Sequence, residues 1–466
     1  MTTTSSTTRA SSASTQHAPI RSDAVELARL LPSVSLFGTF YSALRPSRIL
    51  FAFALLLVLV VAGRLWDGVT PTAYGPGGLL AGPPREIQLV EAQESARSLV
   101  IPVLRESDRA RAATLSLDDL AVLLRENAEA NPAQFDAARY AKIAGTIDAA
   151  RPRASFEALH EAVRESVISA VSALARADGR GAFDATRQLV VVVPTTSWEC
   201  APWFTAYFGC CFIIVLMGCG GVLSRLNAGD LSDRQWTISQ ARAFIRPRLW
   251  AICGAPLFAI SFAALLWVPL WLLGVLLNLP VFNVFGALAF GVALVVGGLC
   301  ALLLTVVCAG LPLMAPAVAC DGCDSVESVQ RAGAYLFRRP LHLGWYALLS
   351  FVVIGAGTLL ADFVAASSWS IAIGAFRQAS SSGALDAVGS YRFLESFHGS
   401  PAVILGATDR ATAGILEIWQ TLLSLLVGAT ALSLTIACAT RAYLLVRLHS
   451  DGQELSDLWV DEDLHL

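Results

Sequence analysis

Long apolar runs constrain the fold of this chain more than any other feature of its sequence. A membrane-spanning helix needs about 20 mostly apolar residues to cross a hydrocarbon core roughly 30 Å thick. Charged residues make up 15% of the chain and hydrophobic residues 55%, against about 25% charged residues in soluble domains. The apolar runs lie at residues 49–63, 201–223, 249–275, 284–308, 343–365 and 413–443. The sequence therefore predicts an all-α polytopic membrane protein with about six transmembrane helices.

The first of these runs is the shortest. Residues 49–63 cover only about 22 Å at ~1.5 Å per residue, so the long side chains of Arg45, Arg48 and Arg64 must reach back to the membrane surfaces. A cleaved signal peptide is the alternative interpretation, because small residues end the run, but the polar segment before it is too long. We therefore interpret this run as a membrane helix.

Residues 67–198 are more polar and carry helix patterns of the soluble type. Apolar residues recur at helical spacing from Leu117 to Leu124 and from Phe156 to Leu174, which is typical of amphipathic helices that pack in a domain. Short apolar runs at 99–104 and 189–193 contain or precede a proline and favour strands of a small sheet. We expect a mainly helical, extracytoplasmic soluble domain between transmembrane helices 1 and 2.

The remaining domain boundaries follow from composition and from the apolar runs. A Ser/Thr-rich segment with little apolar content cannot offset its ordering entropy and is expected to be disordered. The predicted domains are a disordered cytoplasmic tail (1–22), a cytoplasmic elbow with the first transmembrane helix (23–66), the soluble domain (67–198), a five-helix membrane domain with amphipathic elbows near 234–248 and 324–340 (199–446), and a cytoplasmic tail (447–466).

The positions of the arginines predict the orientation of the chain. Short cytoplasmic loops of membrane proteins are enriched in basic residues. The arginines that would lie on this side are Arg45, Arg48, Arg225, Arg234, Arg242, Arg246, Arg248, Arg331, Arg338, Arg339, Arg441 and Arg447. We therefore expect a multi-pass protein of the bacterial inner (cytoplasmic) membrane with both termini in the cytoplasm.

An Arg-Pro step precedes each helix that would leave the cytoplasm, at Arg45-Pro46, Arg246-Pro247 and Arg339-Pro340. Proline ends the preceding helix, and arginine suits the phosphate layer of a membrane. Chance recurrence of so short a motif is the alternative. The candidate membrane-surface residues are Arg246, Pro247, Arg248, Asp324, Arg338, Arg339 and Pro340. The elbow helices before these steps would either bind a lipid or a partner protein, or only position the next transmembrane helix.

Ionisable residues inside apolar runs would mark a path for ions or protons. The candidates are Glu417, with Gln420 one turn further on, and Asp362 in the fifth run. All three lie near the predicted outer interface, where a charge reaches water easily. They support a transport function only weakly.

Motifs of catalysis, cofactor binding and metal binding are absent from the sequence. Cys320 and Cys323 form a CxxC pair, but a structural zinc site needs four ligands, and the scattered histidines supply no second pair. A net charge of -3 argues against a nucleic-acid partner. We expect a non-enzymatic chain without a cofactor or metal, whose partners are membrane lipids and other membrane proteins.

Residues 318–346 contain Asp321-Gly-Cys-Asp-Ser325 and, further on, Arg338-Arg-Pro-Leu-His342. This pattern resembles a loop in a family of uncharacterised polytopic bacterial inner-membrane proteins. More loosely, it is similar to the membrane domain found beside some glycerophosphodiester phosphodiesterases. The resemblance implies an acidic turn, a short helix, an Arg-Pro corner and the next span, and it carries over no catalytic residue.

The sequence thus predicts an integral membrane protein but does not indicate a biochemical activity. The leading hypothesis is a non-enzymatic organising or accessory component of the membrane. The alternative is a small-solute transporter or channel built on the helical hairpins. A near absence of ionisable groups at mid-membrane favours the first hypothesis.

Overall fold

A computed structural model describes residues 36–70, 74, 78–81, 86–115, 117–130, 143, 145–147, 150, 153–232, 234–276, 282–380, 385, 391 and 407–459. Fifteen α-helices of five residues or more span this part of the chain. They are α1 (Thr39–Ala43), α2 (Pro46–Val69), α3 (Glu86–Val100), α4 (Glu106–Ala112), α5 (Leu117–Ala130), α6 (Ser155–Ala175), α7 (Gly179–Arg187), α8 (Val193–Cys200), α9 (Pro202–Leu231), α10 (Ile238–Ile245), α11 (Leu249–Leu276), α12 (Phe282–Asp321), α13 (Ser325–Arg338), α14 (Pro340–Ala379) and α15 (Ala407–Asp451).

Six of these helices are long and apolar enough to cross a membrane. They are α2, α9, α11, α12, α14 and α15, and each contains one of the apolar runs. The prediction of an all-α chain with six such helices is confirmed. The predicted tail at 1–22 and most of the turn expected near 278–283 lie outside the described residues.

The expectation of a small sheet is wrong for the residues that the structure describes. Residues 99–104 continue from α3 into a 3-10 turn at Ile101–Val103, and a π-helical turn at Gln188–Val192 leads into α8. Pro102 and Pro194 each stand just after a change of helix type, from α to 3-10 and from π to α, and the residues before them are helical. The only β-feature in the described part is an isolated bridge between Tyr74 and Arg153.

The six long helices alternate in direction, and we call one end of them the elbow end. Here α2, α11 and α14 begin and α9, α12 and α15 end. Contacts tie these termini together: Arg48 to Asp230 at 2.8 Å, and the Arg225 guanidinium to the Ala319 carbonyl at 2.9 Å. Residues near 230, 327 and 453 therefore share one end of the molecule.

Helices α15 and α9 form the centre of the bundle. In an apolar 18-residue stretch of α15, 50% of the residues are buried, and in the corresponding stretch of α9 33% are buried. The buried share is only 6% in the span that contains α11 and 11% in α12. Glycines allow close packing between helices, since a Cβ on Gly357 of α14 would lie 2.4 Å from Leu434 of α15. The outer helices instead expose large apolar side chains such as Trp267 and Leu294.

The helical region between α2 and α9 packs at the opposite, distal end. The Asp67 carboxylate, in the last turn of α2, accepts the backbone N–H of Phe156 at 2.9 Å in the first turn of α6. Trp66 stacks on Tyr207 of α9, with 5.1 Å between ring centroids. These contacts fix the region to the first two long helices.

Helix α6 buries a different face from the one its sequence pattern indicates. Val163, Val171 and Leu174 of the apolar stripe are exposed, whereas Ala158 and Ala162 are buried. Small side chains let neighbouring elements approach α6 closely, so the helix packs through its small residues. The prediction that the apolar stripe forms the buried face therefore holds only at its first turn, where Phe156 is buried.

Candidate functional site

The segment between α10 and α11 contains the Arg246-Pro247 step and is helical throughout, so Pro247 does not end the preceding helix as the Arg-Pro motif predicts. The Thr237 hydroxyl and the Gln240 side chain form a reciprocal capping box that begins α10. Residues 246–248 then form a 3-10 turn that contains Pro247 and leads directly into α11. Arg246 is exposed, and Arg248 is half-buried.

Arg248 belongs to a group of guanidinium and aromatic side chains that we call the guanidinium–aromatic stack. Its members in order of contact are Trp236, Arg225, Phe244, Arg248 and Trp459, and the Trp459 ring also contacts the Phe244 ring directly, with 5.9 Å between centroids. The Arg225 guanidinium carbon lies 3.9 Å from the ring centroids of Trp236 and Phe244. That of Arg248 lies 4.2 Å from the Phe244 ring and 4.6 Å from the Trp459 ring. Stacked cation–π contacts of this kind contribute about 0.5–2 kcal/mol each, so the stack fixes both arginines within the protein.

The stack also caps the carboxyl end of α12. Arg225 donates to the Ala319 carbonyl at 2.9 Å, and the backbone N–H of Trp459 donates to the Cys320 carbonyl at 2.8 Å. Gly322, with φ of +69°, reverses the chain and donates its N–H to the Val318 carbonyl at 3.0 Å. Three of the carbonyl groups that a helix end leaves without intrahelical partners are thereby satisfied.

The last residue of α12 is the centre of what we call the Asp321 cluster. Its carboxylate accepts hydrogen bonds from Arg331, at 2.7 Å, and from Tyr443 and Arg447. Arg447 is only 1% exposed. A buried guanidinium is tolerated because it is paired and because its other nitrogen donates to two backbone carbonyls, at 2.7 and 2.9 Å. The cluster joins α12, α13 and α15.

A second centre, the Asp230 cluster, joins α2 to α9. Asp230 accepts from Arg45 at 3.0 Å and from Arg48 at 2.8 Å. Arg48 is 3% exposed and also donates to the Ser42 carbonyl at 2.9 Å and to the Asn227 side chain. Arg45 of the Arg45-Pro46 step and Arg48 one turn further on are therefore both bound to groups of the protein.

The third elbow begins at Asp324, whose carboxylate accepts the backbone N–H of Glu327 at 2.8 Å and caps α13. Tyr335 donates its hydroxyl to Asp451 at 2.5 Å, and burial, together with this hydrogen bond, raises the pKa of Tyr335. Arg338 and Arg339 are exposed at the surface. Pro340 occupies the first turn of α14, as the predicted elbow requires.

The candidate polar residues within the apolar runs lie far from the elbow end. Counting along α14 from Pro340 at ~1.5 Å per residue places Asp362 about 33 Å away, and Glu417 lies further still along α15. Glu417 is exposed, whereas Gln420 and Asp362 are partly buried. Asp362 lies close enough to Tyr391 to raise, after the larger effect of burial, the pKa of that phenol.

The Cys320–Cys323 pair lies beneath the stack, and both side chains are buried. Burial raises the pKa of Cys323 to about 12, which lowers the thiolate population that redox chemistry requires. Within the described ranges, no group of three or more His, Cys, Asp or Glu side chains is placed to hold a metal ion.

Several residues of these clusters were not predicted as site residues. In the sequence analysis, Arg225 and Arg447 serve only to predict the cytoplasmic side. Asp321 appears there only as part of an acidic turn. One signal was available, since an ionisable residue that directly adjoins an apolar run requires a partner. The short apolar group Leu458-Trp459-Val460 within an otherwise polar tail is a second such signal.

Comparisons with protein family models, curated proteins and solved structures found no match to this chain. The resemblance carried by residues 318–346 thus stays a prediction, and the function has to be argued from the geometry of the elbow end.

Proposed function

We propose that this chain is a multi-pass protein of the bacterial inner membrane that organises other membrane components without catalysing a reaction. Both termini and the elbow end lie in the cytoplasm, and residues 67–198 lie outside. One observation carries the proposal: the elbow end is a preformed platform in which the stack and the Asp321 and Asp230 clusters hold three elbows together.

The composition of the long helices supports a membrane location. Each helix has a stretch without Asp, Glu, Lys, Arg or His. These stretches are 49–63, 202–224, 249–276, 282–320, 343–361 and 418–440. Such stretches suit a hydrocarbon core, where a charge is costly. The ionisable residues beside these stretches concentrate at the elbow end, and most of them are arginines. Because cytoplasmic loops are enriched in basic residues, this supports a cytoplasmic position for the elbow end.

The bonding of the platform favours a fixed scaffold over a moving gate. The guanidinium groups of Arg48 and Arg447 each donate to carboxylate and to backbone oxygen atoms. Movement of one helix relative to its neighbours would break several such bonds, each costly when a buried charge is left without its partner. At the distal end, the bond from the Phe156 N–H to Asp67 also ties the region between α2 and α9 to the long helices.

A small-solute transporter or channel is the second candidate, and Asp362 is the observation that favours it. This carboxylate is partly buried on α14 near Tyr391, and an ionisable group within a membrane helix often marks a substrate path. Affinity capture from detergent, with mass spectrometry of proteins, lipids and solutes, separates the candidates. A stable protein partner supports the scaffold, and a stoichiometric solute lost in Asp362→Asn supports transport.

Cysteine-accessibility labelling tests the proposed topology. Four exposed positions suit single cysteine substitutions: Glu126, Gln378, Gln330 and Gln453. A membrane-impermeant maleimide added to intact spheroplasts should label Glu126→Cys and Gln378→Cys above the native-cysteine background. Gln330→Cys and Gln453→Cys should react only after lysis. Labelling of positions 126 and 330 from the same side would refute the proposed topology.

A further inference from the structure

The chain reverses direction after α15 and returns across the elbow end. Gly452, with φ of +69°, donates its N–H to the Leu448 carbonyl at 3.1 Å and ends the helix. Nothing lies within 4 Å of a Cβ built on Gly452, so its backbone conformation alone requires glycine there. The residues that follow run back toward α12.

Two kinds of contact hold this returning segment. Arg447 donates to the carbonyls of Glu454 and Asp457, at 2.9 and 2.7 Å. The side chain of Leu458 is 9% exposed and packs into the core beside α12 and α15. The segment is thus attached through its backbone and through Leu458, with the partly buried Leu455 packed against the same core.

Trp459 forms the end of the segment and covers the turn after α12. Its N–H donates to the Cys320 carbonyl, and its ring lies over Arg248 as the outermost layer of the stack. A Cβ built on Gly322 would lie 2.9 Å from this ring. Trp459 therefore lies directly on the loop between Cys320 and Cys323, which are 0% and 3% exposed.

We propose that residues 452–459 form a releasable strap that closes the elbow end and shields the Cys320–Cys323 pair from water. The strap is a conformational device that goes beyond the proposed organising function. When it opens, the stack loses its outermost ring, the end of α12 loses a cap, and the thiols become accessible to reagents in water.

The composition of the strap favours reversible release. Its backbone is irregular, and Glu454, Ser456 and Asp457 are exposed. Trp459 itself remains 41% exposed. The entropy lost on ordering eight residues opposes the few contacts that hold them, and segments of this kind open locally without unfolding of the whole protein.

The reactivity of the thiols reports the state of the strap. Burial holds the pKa of Cys323 near 12, so its return toward an ordinary value on exposure increases the reactive thiolate. Cys219 and Cys438 are buried between long helices, at 0% and 1% exposure, and Cys438 lies in a separate core cluster with Val353 and Leu434. They serve as internal references within the same molecule.

The test is the rate of N-ethylmaleimide labelling at each cysteine of the full-length protein in detergent, followed by peptide mass spectrometry. We expect Trp459→Ala and removal of residues 452–466 to raise the rate at Cys323 about tenfold, which corresponds to about 1.4 kcal/mol of lost closing free energy. Trp459→Phe, which keeps a ring over Arg248, should restore much of the protection. Trp250→Ala is the matched control, because Trp250 is 86% exposed and lies outside the stack.

Three results would overturn the proposal. One is unchanged labelling of Cys323 in both Trp459→Ala and the truncated chain. Another is a parallel increase at Cys219 and Cys438, which would show that the segment belongs to the core of the fold. The third is an equal increase in Trp250→Ala, which would remove the specific role of Trp459.

Discussion

The elbow end and the middle of the long helices are held together in different ways. At the elbow end, buried arginines bridge helices that begin and end there, through the Asp321 and Asp230 clusters. In the middle, the contacts are apolar, and the helices are buried to different extents. Half of the residues in an apolar stretch of α15 are buried, but only 6% of those in the span that contains α11. Specific polar bonds thus fix the register of the helices at one end, while small residues decide how closely they pack elsewhere.

The contrast also shows that arginines beside long apolar helices can serve the structure of the protein. Positive charge on the cytoplasmic side is commonly interpreted as a signal for orientation. In this chain Arg48, Arg225 and Arg447 are buried, at 3%, 3% and 1% exposure. Arg246, Arg338 and Arg339 are exposed instead and are free to face lipid phosphates.

The largest expected effect tests this division among the arginines. A basic residue at an anionic membrane surface contributes about 1 kcal/mol, so Arg338→Glu with Arg339→Glu should disfavour placement of α14 by roughly 4 kcal/mol in total. We expect low accumulation in the membrane fraction and loss of protease protection. The matched control is Arg180→Glu with Arg187→Glu, at exposed positions of α7 away from the elbow end. Normal insertion of the elbow variant would mean that the Arg-Pro step is not an anchor and recurs by chance.

A smaller effect is expected in the apolar middle. Gly357→Val places a Cβ 2.4 Å from the Leu434 side chain, and overpacking of this kind costs about 1–3 kcal/mol. Gly355→Val, two residues away, is the control, because nothing lies within 4 Å of its Cβ. Thermal unfolding in detergent, followed by circular dichroism, should show a lower midpoint for Gly357→Val only. Equal midpoints in the two variants would show that α14 and α15 do not pack closely at this level.

The sequence predicts the long helices well because their signal is local. An uninterrupted apolar run is enough to place α11, and the Arg-Pro step lies just before it. The stack is different, because Arg225 meets Trp236 and Phe244 only after the chain turns, and Trp459 arrives from the far end of the sequence. No periodicity in one segment encodes such a contact.

Two further differences have physical causes that local patterns do not contain. Pro102 and Pro194 suggest interrupted strands, yet each lies within a helical segment at a change of helix type, from α to 3-10 and from π to α. The stripe from Val163 to Leu174 has helical spacing, but close packing selects the adjacent face with Ala158 and Ala162. Tertiary contacts decide both cases.

A double-mutant cycle between Asp321 and Arg447 tests the central claim, that buried ion pairs fix the elbow end, most directly. Arg447→Leu alone should cost about 3–5 kcal/mol of unfolding free energy, because it leaves the Asp321 carboxylate with fewer partners in a buried site. The cycle adds Asp321→Asn and the double variant, each measured by denaturant unfolding in detergent. The account predicts a coupling free energy above about 1.5 kcal/mol, as close charge pairs show. Additive effects within about 0.5 kcal/mol would contradict it, since independent sites behave in that way.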